Sequence, residues 1–177
     1  WAPVVESVLT GAILPAYEAN AAAAEAAENA MGDLCASPGT GTLDVARIQF
    51  GALVETWSAV EMFRMGPARA DNRYERMFFW PDRKGVGLRQ VQAILADEDQ
   101  SAAEVETLRG KSVAVQGLLA LEFVLFGADS DKLATDPADR FRCRYGRAIA
   151  GAIAQTSAEI RDGWTADVGY ASVMRNT

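Results

Sequence analysis

The 177 residues include no histidine, and that absence excludes more chemistry than any other feature of the composition. Without imidazole the chain cannot assemble a Ser-His-Asp or Cys-His catalytic set, nor a histidine-based zinc site. A metal held here would see oxygen ligands. Cysteine is nearly as scarce. Cys35 and Cys143 stand far apart, without the C-x-x-C spacing of redox and zinc motifs, and are either bonded to each other or two free thiols. Lys and Arg number 17 against 24 Asp and Glu, a formal charge of -7. No basic run is present to neutralise phosphates, so nucleic acid is excluded as a partner. No apolar run reaches the roughly 18–20 residues that a membrane span needs. Also missing are the alternating period of strands, a glycine-rich phosphate loop after a strand, and any repeat of domain-building length.

What is present is helical. Half of the residues are hydrophobic, enough for one ordinary domain with a full core. From Pro3 to Met31 the sequence is alanine-rich with scattered glutamates, which predicts a long helix kinked or split at Pro15. A turn cluster follows over Cys35–Thr42. Thr42 reads as the N-cap of a second helix, whose apolar positions Leu43, Ala46, Phe50, Leu53, Trp57 and Val60 recur in steps of three and four. Gly66-Pro67 ends it, with Glu61 and Arg64 beside its stripe. The stretch to Lys84 mixes arginines with Phe78-Phe79-Trp80 and fits no helix face; it predicts a connection laid over the bundle, with Arg69, Arg73 or Arg76 reaching inward. A shorter helix carries Leu88, Val91, Ile94 and Leu95, and Ser101-Ala-Ala-Glu104 reads as a capping box. Asp136-Pro137 opens the last long helix, with Phe141, Tyr145, Ala148, Ala152, Thr156, Ile160 and Trp164 as its stripe.

The expected fold is therefore all-α, an up-and-down four-helix bundle with short extra helices in the connections. The bundle should span residues 1–165, and 166–177 should leave it as a linker toward a second bundle. The chain opens on Trp1 and not Met, which carries the expectation that a start, a tag or an export signal has been removed. A lipid anchor lost with it would be the route to membrane association.

The stretch from Val113 to Gly127 is apolar on nearly every face yet carries Glu122 near its middle. Burying a lone carboxylate costs several kcal/mol unless a cation or hydrogen bonds compensate it. Glu122 is therefore expected to be buried against a partner, Arg73 first among the arginines. One reading is a structural ion pair that keeps the helices in register; the other is a ligand site.

Three motifs in order, Trp57-Ser-Ala-Val-Glu-Met-Phe-Arg-Met-Gly-Pro67, Phe79-Trp-Pro-Asp82 and Gly117-Leu-Leu-Ala-Leu-Glu-Phe-Val-Leu-Phe-Gly127, resemble the imelysin family. The resemblance covers nearly the whole chain but about half of such a protein. It implies a bacterial exported protein, periplasmic or attached to the outer membrane, linked to iron uptake and once classed as a metallopeptidase, with two helical bundles. The family's motif is Gly-x-His-x-x-Glu on a buried helix. Gly117 and Glu122 match its glycine and glutamate, whereas Leu119 stands at the histidine position. Residues three apart share a helix face, so a His-Glu pair could grip one metal and a Leu-Glu pair cannot. The resemblance implies a ligand pocket of Glu122, Glu61, Arg73, Trp80 and Asp82 and an oxidising location that favours a Cys35–Cys143 disulfide. No tightly bound cofactor is expected; iron or another divalent metal is the ligand in view, or a small molecule. A binding role in metal acquisition leads. A metallopeptidase drawing ligands from a second bundle, or an interaction module with a decayed site, are the alternatives.

Overall fold

A computed structural model describes residues 1–135 and 140–176. Its long helices are α2 (Leu14–Ala36), α3 (Thr40–Val60) and α8 (Phe141–Thr165). Shorter helices are α1 (Ala2–Val8), α4 (Arg73–Met77), α5 (Val86–Asp97), α6 (Val105–Arg109), α7 (Leu118–Phe126) and α9 (Tyr170–Arg175), with short 3₁₀ turns between several of them. No strand occurs among the described residues.

The bundle forms because three stripes of small and apolar side chains face one another. On α3, all six expected positions from Leu43 to Val60 are buried; on α8, all seven from Phe141 to Trp164 are. Facing them, α2 presents Tyr17, Ala24, Ala27, Met31 and Leu34. Alanines on α2 and glycines on α8 let the two axes approach closely; a Cβ at Gly146 would sit 2.7 Å from Met31 Cε and 2.8 Å from Val124 Cγ1. The turn between α2 and α3 is only Ser37–Gly39, which makes them antiparallel neighbours. A disulfide joins Cys35 near the end of α2 to Cys143 near the start of α8, with Cα atoms 5.7 Å apart. It clips together two segments that are 108 residues apart in sequence. The bond expected by resemblance is thus present. The fourth place in the ring, between α3 and α8, is filled by α7.

Local boundaries differ from the expected ones in instructive ways. Pro15 does not break its helix. It sits at the start of α2, and the missing donor is accommodated by a π-helical turn over Leu9–Ile13 that links α1 to α2. Gly39, not Thr42, is the N-cap of α3; the Thr42 hydroxyl instead donates to the Ser37 and Gly39 carbonyls at 2.9 and 3.0 Å. The capping box at Ser101 does not form. Asp99 accepts from Ser101 N at 3.0 Å and starts a 3₁₀ turn, and α6 begins only at Val105. The expected cap at Asp136-Pro137 lies outside the described residues. Past α8, where an outgoing connection was expected, α9 turns back on the bundle: Ala171 is buried, Tyr170 meets Trp164 edge to face at 5.1 Å, and Arg175 pairs with Glu6 at 2.6 Å.

Candidate functional site

Helix α7 is pinned at both ends and open along one side. At its start, Gly117 lies against the end of α4 so closely that a Cβ would collide with the Arg76 and Met77 carbonyls. Gln116, just before it, is fully used. Its side chain donates to the Leu108, Lys111 and Ser112 carbonyls and accepts from Arg76 Nη1 at 3.0 Å. At its far end the carbonyls of the last turn meet two arginines. Arg47 Nε donates to Leu125 O at 2.9 Å, and Arg142 donates to Phe123 O and Val124 O at 2.9 and 3.1 Å. Cations there also complement the negative end of the helix dipole. Between the two anchors, Leu118, Ala120, Leu121, Val124 and Leu125 are buried in the bundle.

The other side of α7 carries Leu119, Glu122, Phe123 and Phe126, spaced to share one face. That face is the floor of a groove of about 440 Å³, walled opposite by Leu88 and Val91 of α5 and by Phe79 and Trp80 of the connection, with Asp82 among its lining residues. A smaller cleft of about 180 Å³ lies beyond Leu119 and Glu122, against Phe50, Trp57, Glu61 and Phe78. The dimensions and apolar walls of the larger groove suit a small-molecule site.

The expected site residues divide sharply. Glu122, Trp80, Asp82 and the substituted position Leu119 all line the groove, and Glu61 reaches the adjoining cleft. Arg73 does not join them. It donates to Glu159 Oε2 and Pro67 O and pairs with Asp71, while Arg109 takes the other oxygen of Glu159 at 2.7 Å. The expectation of a buried Glu122 paired with Arg73 is therefore wrong on both counts: Glu122 is exposed. The reason is that α7 packs on α3 and α8 along one side only, so an isotropically apolar helix need not be encircled.

The three carboxylates differ in what they have left to offer. Asp82 accepts from the backbone N–H groups of Gly87 and Leu88 at 3.1 and 3.2 Å and so caps α5. Desolvation pushes its pKa up, but those N–H donors, Val86 N–H and the nearby Arg89 charge outweigh it and hold the group below the usual carboxylate range. Glu61 forms an ion pair with Arg64 and accepts from Tyr74 Oη at 2.9 Å. Burial and the Glu61 carboxylate push the Tyr74 phenol up to about 12. Glu122 has neither a hydrogen bond nor an ion pair among the described residues. It is the one expected acid whose oxygens are free. No group of three or more His, Cys, Asp or Glu among the described residues could hold a metal ion. The donor set thus does not fit a resident metal.

Sequence reasoning missed Leu88, Phe79, Phe123 and Phe126 as groove walls. Leu88 was grouped with Val91, Ile94 and Leu95 in one apolar stripe, yet it is 45% exposed, and Phe126 is 50% exposed.

The family model described as "Peptidase_M75: Imelysin" matches residues 13–177, and the chain belongs to the imelysin family. Two solved structures share its fold. An imelysin-like protein from Psychrobacter arcticum 273-4 has a TM-score of 0.83 at 22% identity, over 99% of this chain and 54% of that one. A protein described as an iron-regulated protein A precursor, from Parabacteroides distasonis ATCC 8503, has a TM-score of 0.78 at 23% identity, over 99% of this chain and 50% of that one. The chain thus spans about half the length of either. No curated protein sequence matches it.

Proposed function

We propose that this chain is a helical bundle of an exported bacterial protein with a binding role in iron or metal acquisition, receiving its ligand in the groove beside Glu122. The observation that carries the reading is a free carboxylate, at the position of the family's motif glutamate, on the floor of an apolar groove. The disulfide suits an oxidising compartment such as the periplasm. The iron-regulated precursor of similar fold supports both export and iron. Because the chain covers about half of each solved relative, a second bundle of the same protein is the partner expected beside it.

Binding is favoured over hydrolysis. A metallopeptidase needs a metal held by about three protein ligands with one position open to an activated water, and a base beside it. Here Leu119 provides no ligand, Asp82 and Glu61 are committed elsewhere, and a catalytic metal would need ligands from the second bundle. Equilibrium dialysis of the full-length protein against ferrous salt and against iron held in a cationic chelate with apolar ligands tests the proposal. Reversible retention of the chelated iron that falls several-fold in Glu122→Gln is expected. Retention indifferent to that substitution, or peptide hydrolysis by the same preparation, would refute it.

A further inference from the structure

We infer that the groove takes an organic cation with an apolar body, and not a bare metal ion. This rests on the groove being the ligand site and goes on to name the class of ligand. A bare divalent ion requires several oxygen or nitrogen ligands converging on one point. The groove offers one free carboxylate; Asp82 already accepts two backbone N–H bonds. A single acid cannot strip a metal of its water, but it does suit one diffuse positive charge that needs no full coordination shell.

The walls carry the second half of the argument. Leu88, Val91, Leu119 and the aromatic rings form a surface that hydrated ions would not use, and about 440 Å³ accommodates a body of drug-like size. The aromatic faces are not equivalent. Phe126 and Phe123 already have the guanidinium groups of Arg47 and Arg142 over their rings, at 5.4 and 5.8 Å. Both arginines are held in place by carbonyls of α7 or just beyond it, and Arg47 also by Asp131. Trp80 is 65% exposed, and no cation among the described residues covers its ring. An ammonium or other delocalised cation seated between Glu122 and Trp80 would gain ion pairing from one side and a cation–π contact from the other. An anionic ligand would face an uncompensated carboxylate and is disfavoured.

Nuclear magnetic resonance titration of the isotope-labelled chain with benzyltrimethylammonium tests the inference, beside an uncharged carbon analogue of the same shape carrying one hydroxyl for solubility. The expected result is shift changes centred on α5, α7 and Trp80, with the cation bound about 5-fold more tightly than the neutral analogue. Glu122→Gln should erase that preference while leaving the neutral analogue's affinity unchanged, and Trp80→Ala should weaken the cation most. Equal binding of both probes would overturn the cationic class while leaving the groove as the ligand site. Zinc or ferrous ion binding at Glu122 in place of the ammonium would also overturn the class. If neither probe nor metal perturbs these residues, the groove itself is not the site and the binding proposal falls with it.

Discussion

Helices α8 and α7 are neighbours in one bundle and both bury apolar side chains in its core, yet they teach opposite lessons about what apolarity means. On α8 the stripe from Phe141 to Trp164 recurs at helical spacing, and every one of its seven positions is buried, the helix packing against α2, α7 and the short helices around them. Charged residues such as Arg147 occupy the remaining face. Here pattern determines burial. On α7 nearly every residue is apolar, so the pattern has no direction, and burial is decided by what happens to lie alongside. The bundle covers one side. The other is left as the floor of a groove, with Glu122 in the open.

The largest effect that separates the two regions should come from truncating their aromatic residues. Trp164 on α8 is fully buried, stacked on Tyr17 at 5.6 Å and edge-on to Tyr170. Trp164→Ala should cost about 3–5 kcal/mol, since the surrounding helices cannot collapse into the space. Phe126→Ala, on the groove side, should cost far less because half of its ring already faces solvent. Urea unfolding of both variants checks this. Comparable losses would mean that the groove is closed in solution and the contrast is false.

Next in size is the disulfide, which fastens α8 to α2. Cys35→Ser combined with Cys143→Ser should cost about 2–4 kcal/mol, mainly by freeing the unfolded chain. The loop closed is long, so the effect belongs at the upper end of that range if the native helices stay in place. A loss in chemical denaturation with unchanged probe binding in the groove would place the clip in the bundle alone. Loss of groove binding in the same variant would join the two regions into one cooperative unit.

Between the regions lies the Glu159 junction, where one α8 carboxylate receives Arg73 from α4 and Arg109 from α6. Glu159→Gln keeps the shape and removes the charge. With two partly buried arginines left short of an acceptor, a cost of about 1–3 kcal/mol is expected, read by thermal or urea unfolding. Hydrogen exchange should rise first around α4 and α6, the layer that this junction holds onto the bundle. A uniform rise across α2 and α8 would show that the junction supports the core itself.

These contrasts also explain what the sequence disclosed. The stripes of α3 and α8 were legible residue by residue because one polar and one apolar face leave a single way to bury them. The disulfide followed from kinship, not from spacing. The motif glutamate Glu122, with Trp80 and Asp82, does line one groove. Arg73 could not be assigned, since six other arginines lie between Arg64 and Arg142 and only the folded path of α4 determines which acid each one meets. Glu122 was misplaced because a charge within an apolar run announces a conflict without saying whether burial or exposure resolves it. Leu88 was misread for a related reason: it extends the α5 stripe, but what it faces is a cavity.

The smallest effect on stability should come from Leu119→His, and it sharpens the comparison most directly. Leu119 is half-buried and lines the groove one helical turn before Glu122. An imidazole there can keep its polar nitrogens in the groove, so the stability change should stay within about 1 kcal/mol. The same substitution on the buried side of α7, at Leu121, would strand a polar ring in a fully buried position and should cost several times as much. Leu119→His also sets an imidazole and a free carboxylate three residues apart on one helix face, the spacing that lets two side chains share one ion. Millimolar zinc should therefore raise the melting temperature of Leu119→His but not that of the parent chain or of Leu119→His combined with Glu122→Gln, because binding to the folded state alone stabilises it. If zinc shifts the parent chain equally, Glu122 already belongs to a metal site and the groove's preference for an organic cation is wrong. If zinc shifts no variant, the two side chains do not converge, and the geometry assigned to the open face of α7 fails with them.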